Sequence, residues 1–361
     1  MQKYFRLVFT SILVTFIIFG CKDDSDTPPK RTRNKALAKF ETPFNNASFQ
    51  RGNPISVNVK VNDLESVKSL KIFIKDSVLF NGKPEKENYN FKVNTSNWSL
   101  GSNQISLEAR TKDDKLKRDN RLIKVLSDIY PKEYTAEVIS IYPHQTTSYT
   151  QGLEFNNGQL YEGTGGQGST GTSIIAKVDY ATGQIQQKKT LDQRYFGEGI
   201  TVMGNQLFQL TWQQNTCFVY DKNDLTELKK FSYNGEGWGL CNDGEFLIMS
   251  DGSERLSFRD PENFGLKKVV EVYSNEGPVM ALNELEFING KIFANVYQSN
   301  YIVVINPETG AVEKKIDASL VALDHRKTGD VLNGIAYLPE TKQLFITGKN
   351  WSSLLEIGLV E

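Results

Sequence analysis

The chain has 361 residues, with 42 Lys and Arg against 43 Asp and Glu, two His and three Cys. At about 100–200 residues per domain the length predicts two or three domains, and the near-neutral charge argues against a dedicated nucleic-acid binder. So few His and Cys exclude a zinc cluster and a disulfide-built scaffold, while 21 Phe, 15 Tyr and 28 Gly favour strands, stacking pockets and turns.

Lys3 and Arg6 open the chain, and residues 7–20 are apolar. That run is shorter than the about 20 residues that span a bilayer, so it reads as the core of a signal peptide. It ends at Gly20-Cys21, and a small residue directly before Cys resembles the cleavage box of bacterial lipoproteins. Cys21 is then the expected lipidation site, with residues 1–20 as signal and 21–37 as lipidated Cys and polar tether. A plain signal peptide with a chance Cys is the alternative. Lys22, Asp23, Asp24 and Asp26 resemble a surface-export signal of lipoproteins. The expected location is the cell envelope, in the outer membrane, with the lipid anchor as the one membrane contact.

Residues 38–128 read as a small immunoglobulin-like β-sandwich. Ile55, Val57, Val59 and Val61 alternate with polar residues, the period of a half-buried strand. Further strands are expected at 70–74, 91–93, 105–109 and 122–126, and Asn81-Gly82 is a turn signal. No constellation of reactive side chains stands here, so a spacer or docking role is expected.

Residues 132–361 repeat. Five segments open alike, around Gly152, Gly199, Gly239, Glu284 and Gly334. Spacings of about 40–50 residues with strand patterning indicate a β-propeller. Each opener is followed by two more strands, and the first four segments by a third. The fifth segment stops short, and the strand at 134–142 is expected to close the ring beside it. The expected fold class is all-β, a five-bladed β-propeller preceded by the sandwich.

In an antiparallel hairpin the start of one strand and the end of the next lie together. Gln151, Glu198, Trp238, Asn283 and Asn333 stand at the first-strand starts, and Glu162, Trp212, Asp251, Tyr297 and Lys349 at the second-strand ends. All should face one mouth of the central channel. This set holds no His, Cys or Ser–base pair, which argues against a metal hydrolase or a nucleophilic triad.

Nine segments then match one family in order. They are TQGL, YEGTG, FGEGI, LTW, EGWGL, SDGS, NELE, LNGIA and TGKNW, between residues 150 and 351. Over roughly residues 134–361 the chain resembles the plant- and bacterial-type glutaminyl cyclases. The resemblance implies a five-bladed propeller that converts N-terminal glutamine of peptides or proteins to pyroglutamate, releasing ammonia, with no metal required. Some members carry a structural calcium, for which the sequence identifies no ligands. By resemblance Glu198 transfers the proton, Asn283 and Lys349 stand at the developing oxyanion or carboxamide, and Gln151 meets the amine or amide. Trp212, Trp238 and Tyr297 would wall the pocket, with Tyr149 and Phe196 adding to it. The sequence departs from the family at Tyr149, Gly163 and Tyr297, where Phe, Ser and Trp are usual; pocket shape follows from these more than the reaction.

The chemistry suits those residues. The amine attacks an amide of its own residue, so the site has mainly to hold an attacking conformer. A free α-amine has a pKa near ~8 and is readily deprotonated. A placed carboxyl that moves the proton contributes about 10²–10⁴-fold, and donors or a cation stabilise the oxygen charge. A rival reading is a non-catalytic propeller that binds peptides or glycans.

Other features read as structural. Asn333, Asp251 and Glu162 are expected as turn or framework residues, and His144 and His325 as loop residues. Cys217 and Cys241 are expected as buried thiols, a disulfide between them being the alternative. Gly166-x-Gly168-x-x-Gly171 has the letters of a dinucleotide fingerprint but precedes a strand, not the helix that motif requires.

Overall fold

The computed structural model describes residues 36–166 and 171–361. The signal run, Cys21, the tether to residue 35 and Gly168 lie outside the described residues.

The first eight strands are β1 (Ala38–Thr42), β2 (Ala47–Gln50), β3 (Ile55–Val61), β4 (Val67–Ile74), β5 (Ser77–Gly82), β6 (Asn88–Val93), β7 (Gly101–Thr111) and β8 (Leu116–Leu126). They form two sheets, β1-β3-β6 and β2-β8-β7-β4-β5. The alternation read in the sequence is the reason. Ile55, Val57, Val59 and Val61 of β3 share one core with Leu70, Ile72 and Ile74 of β4 and Ile105, Leu107 and Ala109 of β7. Three further strands were not read in the sequence: β1 and β2 alternate over only 5 and 4 residues, and β5 lacks clean alternation. Asn81-Gly82 is not a turn. Both residues pair within β5, against Lys71 and Leu70, and the turn is Lys75-Asp76, where Lys75 takes a positive φ of 50°. Packing of Phe80 and Leu79 against the core outweighs the local turn preference.

The rest of the chain runs through β9 (Lys132–Pro143), β10 (Thr150–Asn156), β11 (Gln159–Thr164), β12 (Ile174–Asp179), β13 (Gln184–Thr190), β14 (Gly197–Met203), β15 (Gln206–Thr211), β16 (Thr216–Asp221) and β17 (Glu227–Ser232). It continues through β18 (Leu240–Asn242), β19 (Leu247–Ser250), β20 (Arg255–Arg259), β21 (Leu266–Glu271), β22 (Leu282–Ile288), β23 (Lys291–Val296), β24 (Tyr301–Ile305) and β25 (Val312–Asp317). Helix α1 (Ser319–His325) and strands β26 (Leu332–Leu338), β27 (Gln343–Gly348) and β28 (Ser353–Val360) complete it. The fold is thus nearly all-β, and His325 ends a short helix rather than lying in a loop.

Strands β10–β13, β14–β17 and β18–β21 form three four-stranded sheets in sequence order. An eight-stranded sheet runs β22-β23-β24-β25-β9-β28-β27-β26. Its two halves meet where Lys132–Thr135 of β9 lies parallel to Lys314–Asp317 of β25. From Thr135 to Pro143, β9 pairs antiparallel with β28.

First strands are neighbours in a closed circuit: β10 beside β14, β14 beside β18, β18 beside β22, β22 beside β26, and β26 beside β10. Buried carboxylates staple this circuit. Glu284 accepts the N–H of Leu153 at 3.2 Å and of Ile335 at 2.9 Å, joining β22 to β10 and β26. Glu154 accepts the Thr201 hydroxyl at 2.6 Å and the Val202 N–H at 3.1 Å, joining β10 to β14. Such groups are tolerated because each finds partners.

The sandwich is seated against the end of β21 and the loops after β21 and β24. Leu100 and Val125 pack with Tyr273 and Ala311, and Glu271 accepts the N–H of Ser102 at 2.8 Å.

Candidate active site

Glu198 opens β14 and Gln151 lies at the start of β10, so both project where the first strands begin. Gln151 Nε2 donates to Glu198 Oε1 at 3.3 Å, and both side chains are buried. Asn333, at the start of β26, donates its Nδ2 to the Thr150 carbonyl at 3.0 Å and to Gln151 Oε1 at 3.3 Å. It therefore stands behind Gln151 and holds that amide's orientation. Asn283, in β22, is buried, and its Oδ1 has no hydrogen-bond partner. An orphaned buried acceptor is costly, and a ligand N–H would satisfy it.

Lys349 directly follows β27 and is 3% exposed. Its ammonium lies over the rings of Tyr149 at 4.7 Å and Tyr297 at 5.3 Å, which places the cation between two aromatic faces. The Tyr149 hydroxyl donates to Asp330 at 3.2 Å. Burial lowers the Lys349 pKa to about 8, against the carboxylates of Glu198 and Asp330, which favour the charge. Burial pushes Glu198 the other way, well above the usual carboxylate range; Lys349 opposes this and Glu236 adds to it. Burial thus favours the uncharged form of both groups, while each one's charge favours the other's.

Rings close the sides. Tyr149 meets Phe196 edge-on at 6.3 Å, Phe196 meets Trp212 at 5.9 Å, and Trp238 meets Tyr297 at 5.5 Å. The resulting cavity has a volume of about 410 Å³ and is lined by Tyr149, Gln151, Gly165, Gly166, Phe196, Glu198, Trp212, Trp238, Asn283, Tyr297 and Lys349. Two glycines permit this packing. A Cβ on Gly165 would stand 2.4 Å from the Phe196 ring. At Gly252, with φ of +79°, a Cβ would stand 2.7 Å from the Trp238 ring.

All nine side chains expected in the site thus share one cavity. Three others expected near the mouth do not line it. Asn333 lies behind Gln151. Asp251 caps its own turn, accepting the Ser253 N–H at 3.0 Å. Glu162 does not end its strand: β11 continues to Thr164, and Glu162 is buried against His144 Nε2 at 3.0 Å. Ser148 and Thr150 also donate to it, and the other His144 nitrogen faces the Trp351 carbonyl at 2.9 Å. Burial disfavours both charges, yet the pairing wins: the His144 pKa is raised and that of Glu162 lowered. Sequence reading missed Glu236, Asp330 and Gly165. EGWGL carries Glu236 as a motif letter, but its partners are set only by the fold. Gly171 is followed by strand β12, so no helix N-terminus follows it. Cys217 and Cys241 are free buried thiols. Among the described residues no group of three or more His, Cys, Asp or Glu stands together as metal ligands.

Fold and cavity define a class: an all-β enzyme whose pocket opens where a circuit of strands begins. The sequence model of a family described as glutamine cyclotransferase matches residues 116–359, and that of a bacterial Ig domain matches residues 38–107. The chain belongs to the glutamine cyclotransferase family, whose enzymes are acyltransferases. It is 40% identical over 230 residues to a glutaminyl-peptide cyclotransferase of Arabidopsis thaliana, across 62% of this chain and 71% of that relative. It also matches the crystal structure of the glutaminyl cyclase of Myxococcus xanthus at 36% identity, with a TM-score of 0.60, over 64% of this chain and 100% of that one.

Proposed function

We propose that the chain closes N-terminal glutamine of peptides and proteins to pyroglutamate, releasing ammonia, by carboxylic acid-assisted proton transfer without a metal. One observation carries this: a buried Glu198, its pKa raised by burial, and a buried Lys349 share the cavity with the unpartnered side-chain carbonyl of Asn283.

In this reading the substrate's carboxamide N–H meets Asn283 Oδ1, and its oxygen faces the Lys349 ammonium. Gln151 orients the amine, and Tyr149, Phe196, Trp212, Trp238 and Tyr297 exclude water from the folded side chain. The α-amine attacks the carboxamide carbon. One oxygen of Glu198 takes the amine's proton while the other gives its own to the departing nitrogen. A C–N bond forms, a C–N bond breaks, ammonia leaves, and the carboxyl is restored. Such transfer supplies about 10²–10⁴-fold, and a placed cation stabilises the oxyanion further.

The larger organisation follows the same proposal. The circuit of first strands and the place of β9 beside β28 support five blades, closed by that strand, over residues 132–361. Residues 38–128 would be the sandwich, carried on a tether from a lipidated Cys21 at the cell envelope. Ammonia release from a short glutamine-initiated peptide, with and without chelator, tests the activity. Release well above spontaneous cyclisation and unchanged by chelator is expected. No release from folded protein would favour the non-catalytic peptide- or glycan-binding reading.

A further inference from the structure

Glu236 precedes Trp238 and does not itself line the cavity. Its Oε2 accepts the indole N–H of Trp212 at 2.8 Å and that of Trp238 at 3.0 Å. Its Oε1 accepts Gln213 Nε2 at 2.9 Å. One carboxylate oxygen thus ties together two tryptophans that come from different sheets and wall the same cavity. Trp212 is 38% exposed, so ring packing alone does not fix it. The backbone here is already secured: Trp212 N–H donates to Phe196 O at 2.9 Å, Gly237 N–H to Trp212 O at 3.0 Å, and Trp238 N–H to Ser250 O at 3.1 Å. The Glu236 side chain therefore adds ring orientation and charge rather than chain connectivity.

We propose that Glu236 is a positioning residue of the reaction: it clamps the two tryptophan walls of the cavity together. Burial would raise its own pKa, but the bonds from Gln213, Trp238 and Trp212 outweigh this and keep it ionised. The charged and titratable groups that act on or respond to Glu198 are Lys349, Glu236, Tyr149 and Tyr233, with Asp330 acting through Lys349. Of these, Glu236 acts with burial to raise the Glu198 pKa, which Lys349 opposes. Its carboxylate is held by the same bonds that hold the walls.

The inference rests on the cyclisation reading, and the test separates the two. Wild type, Glu236→Gln and Trp212→Phe are compared as full chains on a glutamine-initiated peptide, with kcat and KM taken across pH. Glu236→Gln keeps shape but puts an amide where an acceptor of two indoles stood. It should raise KM about tenfold, as loss of a charge-assisted bond does. It should change kcat less than KM, the split expected of a wall that binds rather than of a group that reacts. Trp212→Phe, which removes an indole N–H that Glu236 accepts, should raise KM in the same way. An unchanged KM in Glu236→Gln overturns the proposal. Absence of turnover in the wild type overturns instead the cyclisation reading on which it rests. Should Glu236→Gln fail to fold, Trp212→Phe with unchanged KM overturns the clamp.

Discussion

The sandwich and the ring of sheets bury different things. Inside the sandwich the buried residues are mainly Ile, Val, Leu and Ala, and its buried polar residues are neutral: Thr95, Asn103, Ser106 and Ser127. The ring buries Glu154, Glu162, Glu198, Glu284, Glu286, Lys349 and His144. Apolar burial is non-directional and stabilises wherever it occurs, whereas a buried charge is costly unless paired. Most of the ring's buried carboxylates act as staples between strands. Glu198 and Lys349 are the exception: both line the cavity, beside its aromatic rings, and staple no strands together. The lesson is that function here lies where burial is least favourable.

The largest effect should come from Glu198→Gln, which keeps the shape and removes the titrating group. Turnover should fall by about 10²–10⁴-fold in the ammonia assay. Stability should not fall with it. A carboxyl whose folded-state pKa is raised contributes fully only below its ordinary value of 4.5, and that contribution is lost as pH rises toward the folded value. The variant should therefore melt no lower than wild type, with an advantage that grows with pH. A lower Tm at pH 8 would erase the contrast between staples and site.

A staple should behave oppositely. His144→Ala strips the partner from buried Glu162 and should cost about 3–5 kcal/mol by denaturant titration. The sandwich offers a third case. Leu107→Ala should cost about 2–5 kcal/mol through the cavity it leaves, while kcat per folded molecule stays at the wild-type value. A drop in kcat would show that the two regions are not energetically separate.

Smaller effects sharpen the site itself. Turnover should decline about tenfold per pH unit above about 8, where Lys349 loses its proton and the oxyanion its cation. Lys349→Arg, charged throughout, should flatten whatever part of that limb belongs to the lysine. Gly252→Ala should cost about 1–2 kcal/mol, because positive φ and the Trp238 ring both resist a Cβ. Its KM should rise alongside if the ring is displaced.

Much of this was legible before any fold was known. Similar openers at regular intervals marked the first strands, and the hairpin rule then put Gln151, Glu198, Trp238 and Asn283 at one end with Trp212, Tyr297 and Lys349. That works because a strand's ends are fixed by local pattern, and repetition carries the same end to the same place. The expectation failed where tertiary packing overrode local preference. Asn81-Gly82 has turn chemistry but pairs as strand, and β2 alternates over only 4 residues, too few to stand out as a pattern.

What the sequence by itself determined is the alternation that builds the sandwich, the repeat that builds the ring, and the residue types gathered at its mouth. Partnerships were decided only by the tertiary structure. The letters do not say that Glu162 is consumed by His144, that Asn333 stands behind Gln151, or that one oxygen of Glu236 holds two tryptophans. The physical reason is range. Strand pattern and turn chemistry act over a few residues of chain, whereas desolvation and hydrogen-bond pairing depend on which atoms the closed circuit brings within about 3 Å. The same side chain, a glutamate in a first strand, becomes a staple at Glu284 and a cavity-lining carboxyl at Glu198 by that difference alone.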